Sequence, residues 1–152
     1  MLPHPAPAAP AAFVRDRHRR LLDLVRTLEA SREEDERVEL VSRLAEELAT
    51  FVALEDDVLG PWLAARAPDH FGPGSMAAAR RGGLISLAAR LEAAPAAGPE
   101  YAAALEALAT ALVAHVRSAL RELVPVLEAL PAAESARLHT ALLDTQERMT
   151  EH

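Results

Sequence analysis

The chain has 152 residues, 51% of them hydrophobic but only 3% aromatic, and a formal net charge of −7. That length suits one domain around a single core, and the interspersed acids and bases leave no basic stripe to track a phosphate backbone, which counts against nucleic acid as a partner. With no cysteine in the sequence, disulfides and thiolate metal sites are excluded, so any metal has to be held by histidine and carboxylate.

Ala and Leu dominate the apolar content and strand-forming clusters are scarce, so the expected class is all-α. Residues 1–11 are Pro/Ala-rich and read as a disordered tail, 12–130 as a four-helix bundle running up-down-up-down, and 131–152 as a short additional helix. The tail has no basic n-region, and no stretch of about 18 uncharged apolar residues follows. The expectation is a soluble, cytoplasmic protein with no membrane partner.

Helix A begins near Ala11, with Val14, His18, Leu21, Val25 and Leu28 recurring at helical spacing. Ser31 with Glu33 and Glu34 reads as the start of helix B, whose acids favour the helix dipole. Helix B runs from about Glu33 to Leu59 on Val41, Leu44, Leu48, Phe51, Glu55 and Val58, and Gly60-Pro61 is expected to kink or end it. Residues 67–75, APDHFGPGS, form the clearest loop. Helix C spans about Met76 to Ala94, weakened by Gly82-Gly83, with Arg81, Leu84 and Leu91 on its seam. Helix D, from about Glu100 to Glu128, carries Leu105, Leu108, Leu112, His115, Ala119, Leu123 and Val126, with a bend expected at Pro125. A fifth helix after Pro131 has Leu138, Leu142, Thr145 and Met149 as its stripe.

The two halves echo each other at an offset of about 64 residues: Leu48, Val52, Leu59, Pro61 and Leu63 match Leu112, Val116, Leu123, Pro125 and Leu127. Within the echo Phe51 matches His115 and Glu55 matches Ala119. Each half keeps one polar residue where the other is apolar, as in a decayed motif.

Charged and imidazole groups are costly in a core unless paired, so His18, Glu55, Arg81 and His115 on four apolar seams demand a reason. In this topology they fall at one end of the bundle and share a layer, the place where bundles gather metals such as iron, manganese or zinc. The segments DRHRRLLDLVRTLE, ELATFVALEDDVLGPWL and LVAHVRSALRELVPVL resemble the hemerythrin-like (HHE cation-binding) family. Its pattern is a histidine in helix A, HxxxE in B, a histidine in C and HxxxE in D.

The resemblance covers about Val14 to Leu130. It places His18 at the helix A ligand, Glu55 at the bridging carboxylate of helix B and His115 at the helix D histidine. It also implies three losses: Phe51 for the helix B histidine, Ala119 for the helix D carboxylate, and Arg81 or Gly82 for the helix C histidine. In the family the A and B histidines serve one iron and the C and D histidines the other, so these losses count against a full di-iron centre.

Two readings remain. One is a single iron or zinc ion on His18, Glu55 and His115, with a sensor or ligand-binding role. The other is a metal-free bundle acting as an interaction module, with His18 and His115 as hydrogen-bonded core histidines and Glu55 paired with Arg81. No catalytic triad, phosphate loop or nucleotide fingerprint is present, and no enzyme activity is expected. The Ala/Leu faces permit a protein partner or a homodimer. His70 and Asp69 read as a solvated loop pair, Asp56 and Asp57 as exposed, and His4, His139 and His152 have no partner pattern.

Overall fold

A computed structural model describes residues 9–151, and every secondary-structure element among them is helical. Most of the expected N-terminal tail, with His4, lies outside the described residues, as does His152. By Ala9 the chain is already in α1 (Ala9–Ala30), which buries Val14, His18, Leu21, Val25 and Leu28, the seam expected for helix A.

The second helix, α2 (Glu34–Leu54), opens with Glu34, Asp35 and Glu36 in its first turn, where carboxylates favour the dipole. Its cap position is Glu33 rather than Ser31. Gly60-Pro61 does not end it. Pro61 has no N–H and its ring would crowd the carbonyl of the preceding turn; the chain widens into a π-helical turn over Glu55–Leu59, closed by a bond from Gly60 N to Glu55 O, and then resumes as α3 (Gly60–Leu63). Single π-turns of this kind recur at functional sites, and this one begins at Glu55.

The expected loop at 67–75 is more structured than its Pro/Gly content suggests. Pro68 starts a single helical turn, α4 (Pro68–Phe71), before Ser75 caps α5 (Met76–Ala93) by accepting from Ala78 N at 3.1 Å. Gly82 and Gly83 lie on the exposed side of α5, and the helix passes through them. Helix α6 (Pro99–Glu122) ends at Leu123, and α7 (Val124–Glu128) follows with Pro125 near its start, the bend expected from the second copy of the repeat. The two halves therefore break at matching places by different means.

Helices α1, α2–α3, α5 and α6–α7 form an up-down-up-down four-helix bundle. The last helix, α8 (Ala132–Thr150), is no short appendage: at 19 residues it is as long as α5 and packs on α1, α2 and the π-turn. Its Leu138 and Leu142 are fully buried, with Thr145 and Met149 partly covered.

The core is in two apolar clusters. One contains Leu21, Leu48, Phe51, Leu84, Leu108, Leu112 and Val116; the other contains Val14, Leu54, Leu59, Leu63, Ala119, Leu123, Leu127, Leu138 and Leu142. On α1, His18 falls between Val14 of the second cluster and Leu21 of the first, while Glu55 directly follows Leu54 of the second and His115 directly precedes Val116 of the first.

Candidate metal centre

Glu55 is the first residue of the π-turn and is completely buried. An ionised carboxylate in that position is untenable without donors, and two imidazoles supply them. His115 Nε2–H on α6 donates to Glu55 Oε2 at 2.8 Å, and His70 Nε2–H on α4 donates to Glu55 Oε1 at 2.8 Å. Both histidines are as buried as the carboxylate. Burial by itself pushes the Glu55 carboxyl upward, but the hydrogen bonds and positive charge of His115 and His70 outweigh it and hold the group down at about 2.

His70 overturns the reading of a solvated loop histidine. The residues APDHFGPGS have the composition of a surface loop, but Pro68 nucleates a helical turn that swings His70 inward, and Phe71 packs edge-on to its ring at 4.8 Å between centroids. Nothing in the composition or periodicity of the segment marks this inward turn, because the partners that bury His70, Glu55 and Arg81, come from other elements. Gly72 is required there, because a Cβ would lie 2.5 Å from the Pro68 carbonyl oxygen. On its other side, His70 Nδ1 faces Glu122 Oε2 at 3.5 Å.

His18 is brought to the same level without joining this set. It is buried, and neither ring nitrogen has a hydrogen-bond partner among the described residues. Its nearest aromatic neighbour is Phe51, which packs edge-to-face on His18 at 5.2 Å and on His115 at 5.7 Å between centroids. Burial pushes the His18 imidazole down to about 4, against the raising pull of Glu55 and with His115 and His70 adding to the fall.

Arg81 is buried on α5, but the expected pair with Glu55 does not form. Its Nε donates to Asp56 Oδ1 at 2.6 Å and its Nη1 to the His70 carbonyl at 3.2 Å. The guanidinium is drawn to the exposed neighbour of Glu55 because the two imidazoles already occupy both oxygens of Glu55.

One oxygen of Glu55 and one ring nitrogen each of His70 and His115 lie within 4.8 Å of one another. Two imidazoles and a carboxylate form a donor set that iron and zinc accept. Unmatched polar atoms accompany it: Nδ1 of His70, Nδ1 of His115 and both nitrogens of His18 are buried with no hydrogen bond among the described residues. These residues fit a cation.

A helical bundle that converges imidazoles and a carboxylate on one level of its core belongs to the class of bundle proteins able to house a metal. The family model described as the hemerythrin HHE cation binding domain matches residues 9–127, and the chain belongs to that family. Comparison with curated proteins and with solved structures gave no match.

Proposed function

We propose that this protein is a hemerythrin-like domain that has kept one half of its ancestral two-metal site, with Glu55, His70 and His115 holding a single iron or zinc ion in a sensor or ligand-binding role. The observation that carries the reading is the convergence of these three fully buried side chains. His70 takes the part that the resemblance assigned to a histidine of helix C, so the C and D side of the centre keeps both imidazoles. The A and B side has lost its second histidine to Phe51, whose ring fills the space beside His18. Ala119, fully buried, offers no second carboxylate.

A cation with three protein ligands keeps open positions for a small exogenous ligand. The chain's own residues fix the rest. Complete burial of the three side chains excludes bulk water, Phe51 and Phe71 wall the imidazoles, and Glu122 stands behind His70 where an outer carboxylate orients a ligating histidine. The reading assigns no catalytic turnover.

A second reading is a metal-free bundle that serves as an interaction module. It is favoured by one observation: Glu55 is satisfied on both oxygens by protein donors alone, so the fold does not depend on a cation to neutralise it.

Elemental analysis of protein expressed with iron and zinc supplied separates the two. The single-ion reading expects close to one metal per chain, lost in His70→Ala and in Glu55→Gln and kept in His18→Ala. Metal-free protein that resists loading and still melts cooperatively would decide for the second reading.

A further inference from the structure

Arg81 is an arginine only 4% exposed, and its guanidinium touches the chain neighbour of each of two site residues. Nε binds Asp56, which follows Glu55 on the π-turn, and the guanidinium carbon lies 5.2 Å over the ring of Phe71, which follows His70. Nη1 binds the carbonyl of His70 itself. Without such ties His70 would sit on a single helical turn of four residues, where few backbone bonds resist opening. Ser75 Oγ adds one more, donating to the same carbonyl at 3.2 Å.

Resting on the assignment of Glu55, His70 and His115 as a cation site, we propose that Arg81 is its positioning residue, a clamp reaching from α5 that holds the His70 turn against the Glu55 turn and so governs how tightly the cation is retained. The planar guanidinium makes divergent hydrogen bonds while stacking on an aromatic face. A lysine ammonium at the same place cannot reproduce that combination.

The test uses the full chain with Co(II) as the probe metal, which reports its ligand field by visible absorption. Affinity is measured by titration, and release by transfer to an excess of chelator. Wild type is expected to bind one Co(II), and Arg81→Ala to bind about 10- to 100-fold more weakly. Release should accelerate, and the absorption should shift toward that of His70→Ala. Arg81→Lys should recover only part of the loss.

In the His70→Ala background, measured at millimolar Co(II), Arg81→Ala should cost nothing further, because the residue it positions is gone. A general structural role predicts the opposite: losses that multiply in the double variant. Asp56→Ala removes the acceptor of the same clamp from an exposed residue, so it serves if Arg81→Ala does not fold; it should weaken Co(II) binding severalfold. Wild-type affinity in Arg81→Ala or Asp56→Ala, or multiplying losses, overturns the clamp alone. Wild type that takes up no Co(II) overturns the cation site and the clamp with it.

Discussion

Phe51 shares a level of the core with His18 and His115, and its ring is in edge contact with both. That contact isolates His18, whose two nitrogens are buried without partners. The cost appears as a pH dependence. The folded-state pKa of His18 is about 4, below its ordinary 6.5, so between those values the unfolded chain takes up a proton that the folded chain refuses. Stability of the cation-free protein is therefore full above about pH 6.5 and lost as the pH falls toward 4, by an amount on the order of 3 kcal/mol. Denaturant melts across that range should show the slope in wild type and a flatter profile in His18→Leu. Glu55 acts lower down: its pKa is depressed to about 2, so its contribution is present above the ordinary carboxylate value and disappears as the pH drops toward 2.

At the scale of elements, the site depends on two local departures from regular helix. The π-turn over Glu55–Leu59 presents the carboxylate, and the single turn Pro68–Phe71 presents His70. In the second, Gly72 lies against the Pro68 carbonyl, where a Cβ would be only 2.5 Å away. Gly72→Ala should force the turn to shift, costing about 1–3 kcal/mol and weakening cation binding in step; thermal melting and metal titration of the same sample check both. Helix α8 acts from the other side. Leu138 and Leu142 are fully buried in the cluster that includes Leu54, Val58 and Leu59 on either side of Glu55, and either change to Ala should cost about 2–5 kcal/mol.

The long helices were legible because their seams repeat every three or four residues, and Leu138 and Leu142 declared the last one in the same way. The π-turn was not, since Gly60-Pro61 signals a break without saying that the chain will widen and continue. The inward swing of His70 was not legible either. Periodicity says nothing over a segment of nine residues with two prolines and two glycines before Ser75, and what buries His70 is tertiary: Glu55 fifteen residues away and Arg81 on the next helix.

For the whole molecule, the repeat sets Phe51 against His115 and Glu55 against Ala119. On the proposed reading, each half would once have offered a histidine and a carboxylate on its second helix, the first half keeping Glu55 and the second His115. The carboxylate of one and the imidazole of the other meet at 2.8 Å because the bundle holds the π-turn and α6 side by side. His18, Glu55 and His115 could be picked out from polar residues on apolar seams, but the seams alone could not say which of them touch. On the proposed reading, Phe51→His with Ala119→Glu should return the missing half and raise bound metal from one per chain toward two, as read by elemental analysis.

The proposed site holds one cation between Glu55, His70 and His115. Its most direct test is anomalous diffraction at the zinc or iron edge from crystals of the metal-loaded protein. One peak per chain is expected, bonded to Nε2 of His70, Nε2 of His115 and a Glu55 oxygen, with His18 standing clear. A peak held by His18, or crystals that accept no ion while His70 and His115 keep their bonds to Glu55, would contradict it.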